Sequence, residues 1–152
     1  MKMTEERQGM EVLINNRQSS CGISLKKIQQ TVKVILNALD CPDGEISILI
    51  VDDIQIEKLN RKYFDRSGPT NVIAFPMREG EFSHLNPQIL GDVVISTDTA
   101  AKEARNCGMS VEQRFKELLV HGILHLFGYD HETSDQDAQN MEKKSRELLA
   151  LI

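Results

Sequence analysis

Three of the chain's four histidines lie in one stretch, and this stretch constrains the fold more than any other part of the sequence. His121 and His125 are four residues apart, so on a helix both imidazoles project from one face and can reach a single ion. Gly128 can take the left-handed conformation that ends a helix, and His131 follows three residues later. The stretch therefore predicts a helix, a chain reversal and a third histidine that returns toward the first two.

The residues around these histidines favour a shared metal ion. From Leu118 to Phe127 the predicted helix is apolar on every side except for the imidazoles, so it should be buried against other elements. A single buried histidine is most simply explained by a hydrogen bond to a backbone carbonyl. Three histidines with a glycine between the second and the third are better explained as ligands of one ion.

Zinc is the metal that this set of ligands favours. Three neutral imidazoles leave one position of a tetrahedral ion open, which is typical of a catalytic site. Cys107, the nearest thiol in sequence, precedes the helix and has no Cys-x-x-Cys partner, so a closed structural site is less favoured. An open zinc ion lowers the pKa of bound water to about 7. We therefore predict one Zn²⁺ ion, held by His121, His125 and His131, and a hydrolase activity in which these histidines are catalytic.

The spacing also matches the metzincin proteases, whose H-E-x-x-H-x-x-G-x-x-H has the same offsets of histidines and glycine. The general base of those enzymes is the Glu directly after the first His. Gly122 occupies that position here and can neither accept nor donate a proton. We therefore expect a metzincin-like zinc-binding helix, with a metalloprotease as the less favoured alternative.

The segment from His121 to His131 reads His-Gly-Ile-Leu-His-Leu-Phe-Gly-Tyr-Asp-His and resembles the signature of the YbeY family of bacterial metal-dependent endoribonucleases. Further segments resemble the family in the family's order, so that the resemblance covers most of the chain between about 45 and 150. These segments are Leu59 to Tyr63, Gly68 to Val72, Phe75 to Pro76 and Gly91 to Ser96.

The resemblance implies an α+β fold with a four-stranded sheet. It also implies a single-strand-specific, zinc-dependent endoribonuclease of 16S rRNA 3′-end maturation and ribosome quality control. Its partners would be single-stranded ribosomal RNA, the small ribosomal subunit and assembly factors. Two positions depart from the family, which usually has Arg at Phe64 and often has Asp at Asn71. The departure at Phe64 leaves a non-catalytic, zinc-containing ribosome-assembly factor as an alternative.

Length, composition and net charge indicate the number of domains, the cellular location and the way in which RNA could bind. A chain of 152 residues with 40% hydrophobic and 27% charged residues suits one domain, here 1–152, with a core of its own. Three scattered cysteines form no disulfide framework, and no apolar run approaches the roughly 18 to 20 residues that span a bilayer. These features predict a cytoplasmic protein. The net charge of −5 gives no general attraction to phosphate, so RNA must bind a local patch.

The densest group of basic residues consists of Arg61, Lys62, Arg66 and Arg78, around the segment that resembles the family's cleft. We predict that Arg61, Lys62 and Arg66 bind substrate and that Arg66 also offsets charge in the transition state. A solvated charged face is the simpler alternative. Four aromatic rings could stack a nucleobase, but core packing is the better expectation for each except Phe64. They are Tyr63, Phe64, Phe75 and Tyr129.

Periodicity and capping residues predict a small mixed sheet of four strands with about five helices packed on it. An irregular, mobile loop is predicted over 77–89, with an isolated His84 that is not expected to bind metal. Tyr63 is predicted to face inward from its helix. The predicted strands are Met10 to Asn15, an inner strand from Glu45 to Val51, a strand near an edge or a cleft from Asn71 to Phe75, and Leu90 to Ser96. The predicted helix caps are Ser24, Asp52 with Gln55, Asp98, Ser110 with Gln113, and Thr133 or Ser134.

Overall fold

The computed structural model describes residues 11–19, 22–77 and 88–152. Over these residues the chain forms four strands and five helices, which confirms the predicted α+β class. Most of the predicted loop over 77–89, including Arg78 and His84, lies outside the described residues. The elements are β1 (Glu11–Asn16), α1 (Leu25–Ala38), β2 (Glu45–Val51), α2 (Asp53–Phe64), β3 (Val72–Pro76), β4 (Ile89–Ser96), α3 (Thr97–Cys107), α4 (Val111–Leu126) and α5 (Asp135–Leu149).

The four strands form one mixed sheet in the order β1-β2-β4-β3. β1 and β4 both pair with β2 in parallel, whereas β3 pairs with β4 antiparallel, with Val72 opposite Ile95 and Pro76 opposite Gly91. β3 is therefore an edge strand, as predicted, and an edge tolerates Pro76 because proline has no N–H to donate to a further strand. The inner position predicted for β2 is also confirmed.

Alternation along the strands divides the apolar side chains between two faces of the sheet. Ile46, Ile48 and Ile50 contribute to the larger core cluster, together with buried residues of α1 and α4. Val51 and Val94 belong to a smaller cluster with residues of α2 and β3. α4 therefore packs on the larger core and α2 on the opposite face, which leaves β3 between the end of α2 and the face of α4.

α4 begins and ends where the sequence predicts. The Ser110 hydroxyl accepts a hydrogen bond from the backbone N–H of Gln113 at 3.1 Å, which caps the first turn. From Leu118 to Leu126 every residue is buried except the half-buried His121 and His125. The helix is thus enclosed by core on most sides and presents its two imidazoles on the remaining one.

Two predictions about individual residues are wrong. Ser96, not Asp98, caps α3, because the helix follows β4 directly and Ser96 is the last residue with extended backbone angles. The Asp98 carboxylate instead accepts a hydrogen bond from the backbone N–H of Asp53 at 3.0 Å. Tyr63 is 55% exposed rather than turned inward, because the last turn of α2 lies at the margin of the sheet, where the Tyr63 ring meets Phe75 of the edge strand.

The other predicted caps are confirmed at Ser24, at Asp52 with Gln55 as a full capping box, and at Ser134. Within the described residues, no helix combines the length and the apolar character that crossing a membrane requires.

Candidate active site

The three histidines of the motif meet at the end of α4. Nε2 of His121 lies 3.0 Å from Nε2 of His125, one helical turn away. The centroid of the His131 ring lies 5.3 Å from that of His121 and 5.4 Å from that of His125. One possible ligand atom from each histidine lies within 4.8 Å of the other two. The three side chains therefore form a cluster that could hold a metal ion.

A helix-ending motif brings His131 back to the other two histidines. Gly128 has a φ of +90°, a conformation that glycine takes without strain. The backbone N–H of Gly128 donates to the carbonyl of His125, and that of Tyr129 donates to the carbonyl of Leu124, both at 3.1 Å. These two bonds are those of a Schellman motif. The chain reversal predicted from Gly128 is confirmed.

A short turn then fixes the backbone on both sides of His131. The Asp130 carboxylate accepts a hydrogen bond from the backbone N–H of Glu132 at 3.0 Å. This bond lowers the pKa of Asp130 below its usual value, and a further backbone bond from His131 acts in the same direction. The Asp130 side chain is thus occupied in the turn between α4 and α5.

The spacing and the protonation of the histidines suit a metal ion. Zn–N bonds of about 2.0 to 2.1 Å in a tetrahedral site place ligand nitrogens about 3.3 Å apart, so small side-chain rotations would suffice. Burial, together with the charges of His125 and His131, lowers the pKa of His121 to about 4. Burial also lowers the pKa of His125. Both rings are therefore neutral near pH 7, as metal ligation requires.

A cavity of about 580 Å³ opens in front of the cluster. It lies between the end of α2, the edge strand β3 and the histidine face of α4. Its lining includes all three histidines together with Arg66, Phe64 and Asn71. The histidine cluster, which could hold a metal ion, thus lies at one end of a space large enough for part of a polymeric substrate.

Arg66 reaches this cavity from a loop that is bonded to α2. Asp65 ends the helix in the left-handed conformation, and the backbone N–H of Arg66 donates to the carbonyl of Asn60 at 3.3 Å. The buried Asn60 side chain donates to the carbonyl of Gly68 at 3.1 Å, and the N–H of Gly68 donates to Glu57 at 3.1 Å. The backbone around Arg66 is therefore fixed on both sides.

The other predicted basic residues lie elsewhere. Arg61 forms an exposed ion pair with Glu57 at 3.7 Å, and the Lys62 amine lies 5.2 Å from the centroid of the Tyr63 ring. Neither residue is among the described residues that line the cavity. The structure thus brings Arg66 to the histidines, and it places Arg61 and Lys62 on the outer surface of α2.

Comparison with known proteins agrees with this arrangement. The profile of a family described as "Endoribonuclease YbeY" matches residues 13–152. The chain belongs to the endoribonuclease YbeY family. The resemblance seen in the sequence is confirmed, and with it the enzyme class that the family name states.

Several proteins named Endoribonuclease YbeY are similar along nearly their whole length. The protein of Syntrophotalea carbinolica is 49% identical over 140 residues, which cover 91% of this chain and 93% of the relative. That of Geobacter sulfurreducens is 47% identical over 144 residues, covering 94% and 96%. The solution structure of TM1509 from Thermotoga maritima matches with a TM-score of 0.66 at 24% identity, covering 91% of this chain and 86% of that one. This last likeness supports the fold alone.

Packing accounts for the glycine that separates this YbeY chain from the metzincin pattern. A β-carbon on Gly122 would lie 2.6 Å from Cγ1 of Val93 and 3.2 Å from Cγ2 of Val72. Both valines belong to the sheet against which α4 packs. The protease glutamate could not occupy this position unless the helix moved away from the sheet, so the mechanism that needs it does not suit this fold.

A charged network next to His121 was missed in the sequence. Arg114 donates to Glu103 at 3.0 Å and to Glu117 at 2.8 Å. Burial opposes the charged form of Arg114, but the bonds to the two carboxylates outweigh it and raise the pKa of the guanidinium. Arg114, Glu117 and His121 are spaced three and four residues apart, and this spacing on one helix face is the signal that could have revealed the network.

The same network explains the departure at Asn71. The Asn71 side-chain amide donates to both carboxylate oxygens of Glu103, at 3.3 and 3.2 Å, while its oxygen accepts from the N–H of Val72 at 2.7 Å. An aspartate, the residue that the resemblance leads us to expect here, could not donate to Glu103 while ionised. Asn71 thereby connects the start of β3 to α3 beside the cavity.

Proposed function

We propose that this chain is a single-strand-specific, zinc-dependent endoribonuclease that acts in 16S ribosomal RNA 3′-end maturation and ribosome quality control. One observation carries the proposal: a member of the endoribonuclease YbeY family gathers three histidines in a cavity that Arg66 also lines. The proposal includes one domain over 1–152, a cytoplasmic location, and the small ribosomal subunit and assembly factors as partners.

In this proposal His121, His125 and His131 hold one Zn²⁺ ion. When bound, the ion would polarise a phosphate oxygen and lower the pKa of a water molecule. Each histidine contributes one ring nitrogen, and these three atoms lie within 4.8 Å of one another. The half-exposed side chain of His131, at 46%, leaves the cluster open toward the cavity.

Arg66 is the proposed catalytic arginine. Its guanidinium would bind the scissile phosphate and offset the charge that develops in the transition state. The loop bonds through Asn60 and Gly68 hold its backbone in place before substrate binds. Arg61 and Lys62, on the outer surface of α2, would contact phosphates that lie farther along the strand.

The test combines metal analysis with cleavage. Purified protein is analysed for zinc and incubated with an RNA hairpin that carries single-stranded tails, with and without chelator. About one zinc per chain and chelator-sensitive cutting confined to the tails would support the proposal. A second hairpin with single 2′-deoxy substitutions in the tails distinguishes attack by a water molecule from attack by the ribose 2′-hydroxyl, because the latter requires that group beside the broken bond.

A non-catalytic, zinc-containing assembly factor is the second candidate, and the replacement of the family's usual arginine by Phe64 favours it. In that case the protein would contain zinc but cut no tail, even at high enzyme concentration. The substitution Phe64→Arg would then produce cutting that the wild type lacks. Cutting by the wild type at rates similar to those of its relatives would exclude this candidate.

A further inference from the structure

Three aromatic rings form a contiguous group beside the cavity, which we name the aromatic step: Tyr63, Phe64 and Phe75. Of these three residues, Phe64 lines the cavity. The Phe64 ring stacks on that of Phe75, with centroids 6.0 Å apart and planes inclined by 30°. The Tyr63 ring meets Phe75 edge-on at 5.2 Å. Phe75, on the edge strand β3, thus supports both rings at the end of α2.

Two of the three rings in the aromatic step are exposed to solvent, although aromatic rings are largely apolar. Phe64 is 45% exposed and Tyr63 is 55% exposed, whereas Phe115 on α4 is buried. A single exposed apolar side chain is ordinary on a protein surface. Adjacent exposed rings are less so, and contiguous apolar patches commonly mark a binding site. Since Phe64 uses part of its ring against Phe75, the remainder faces outward.

The position of the step identifies what it would bind. Phe64 lines the same cavity as His125, His131 and Arg66. A phosphate bound near the histidines and Arg66 would bring a neighbouring base of the same strand to the cavity wall. Aromatic rings stack bases of any type, because every base has a π face. Lys62, next to the step, adds a positive charge suited to the phosphates of that strand.

We propose that the aromatic step stacks an unpaired nucleobase next to the scissile phosphate, with Phe64 as the residue in contact and Phe75 as its support. This inference rests on the proposed function and deepens it, since it gives a physical reason for single-strand specificity. A base within a duplex has both faces covered by its neighbours and cannot be stacked on the step. The preference should extend to all four bases rather than to one sequence.

The first test measures binding by the zinc-loaded protein to fluorescein-labelled oligouridylate, followed by stopped-flow anisotropy so that binding is observed before cleavage. Phe64→Leu keeps an apolar side chain but removes the ring, and we expect it to weaken binding about tenfold. The matched control is Ile54→Ala, since Ile54 lies on the same helix, is 66% exposed and does not line the cavity. This control should bind like the wild type.

An abasic oligonucleotide of the same length separates stacking from phosphate binding. It retains the phosphates but has no base to stack, so the wild type and Phe64→Leu should bind it equally. A loss of affinity that is the same for both oligonucleotides would mean that Phe64 only shapes the cavity, and it would overturn the proposal.

A second readout uses the absence of tryptophan from this sequence. Phe64→Trp introduces a unique fluorophore at the step, and stacking of uracil should quench it when oligouridylate is added. Ile54→Trp, on the same helix but outside the cavity, should show no quenching. Equal quenching of the two variants, or none in either while binding is seen by anisotropy, would overturn the proposal.

The results also separate this inference from the proposed function. Chelator-sensitive cleavage with unchanged oligouridylate affinity in Phe64→Leu would refute stacking and leave the endoribonuclease intact. Binding that depends on Phe64 without any cleavage would support stacking and refute the catalytic proposal. A wild type that neither binds nor cuts single-stranded RNA would refute both.

Discussion

Gly122 lies so close to Val93 that a β-carbon on the glycine would come within 2.6 Å of Cγ1 of the valine. α4 can therefore lie on β4 only because position 122 carries no side chain. The same helix carries His121 directly before this glycine and His125 three residues after it, and all three residues line the cavity. The close approach of helix and sheet thus sets how the histidines face the cavity.

The substitution Gly122→Ala should destabilise the fold. Alanine favours a helix by about 1 kcal/mol over glycine, but Val93 is buried and β-branched and cannot move aside easily. Overpacking of this kind typically costs about 1 to 3 kcal/mol. Urea unfolding of the metal-free protein measures the effect. Gly22→Ala is the matched control, because a β-carbon there would meet nothing within 4 Å. Equal or increased stability of Gly122→Ala would contradict the packing described.

Replacing His125 with alanine should abolish metal binding and RNA cleavage together. The remaining two histidines would leave the ion with too few protein ligands to be retained at micromolar concentration. Elemental analysis and tail cleavage measure the two properties on one preparation. His84→Ala is the control, since the fourth histidine is not predicted to bind metal. Full zinc content in His125→Ala would refute the assignment of the ligands.

Removing the metal should leave most of the fold in place. The two core clusters are built from side chains of the sheet and of all five helices and do not include the histidines. We expect the far-UV circular dichroism to change little on chelation and the melting temperature to fall, because an ion that binds only the folded state stabilises it. Complete unfolding on chelation would instead indicate a structural ion and favour the assembly-factor alternative.

The stability of the metal-free protein should fall as the pH falls below neutrality. In the folded chain burial lowers the pKa of His121 to about 4, from 6.5. Above both values His121 is neutral in both states and contributes no pH dependence. Between them the unfolded chain binds the proton and the folded chain does not, so the free energy of unfolding decreases with falling pH. Urea unfolding at a series of pH values measures this. His121→Gln should show a shallower decrease, and an unchanged slope would contradict the effect of burial.

Arg66→Ala should lower the rate of tail cleavage by about tenfold or more. A charge-assisted hydrogen bond to phosphate is worth about 1.5 to 3 kcal/mol, and Arg66 is the predicted basic residue that lines the cavity. Arg61→Ala and Lys62→Ala should cost less, and their effect should fade as salt is raised, because they would contact phosphates on the outer surface. Cleavage rates at two salt concentrations distinguish these cases. A larger effect at Arg61 than at Arg66 would reverse the assignment.

Local features of the chain were predictable from the sequence. These features act over only a few residues along the chain. They are the i, i+4 spacing of His121 and His125, the glycine at 128, and the helix caps at Ser24, Asp52, Ser110 and Ser134. Their geometry follows from the backbone of a single helix or turn, and the structure agrees with each of them. The edge position of β3 was also predictable from a local feature, because Pro76 has no backbone N–H to donate to a further strand.

Other features depend on which elements meet, and these only the tertiary structure decided. From the sequence alone, Gly122 is notable because it replaces the glutamate that is the general base in metzincins. The short distance that a β-carbon at this position would have to Val93 shows that packing requires a glycine here. It presents Arg61, Lys62 and Arg66 as one basic cluster, whereas the loop after α2 carries Arg66 alone of the three to the cavity. Tyr63 has the spacing of an inward residue but lies where the sheet ends. Helical spacing determines the direction in which a side chain projects from the helix axis. Whether that side chain is buried depends on the elements packed against the helix, and those come from distant parts of the chain.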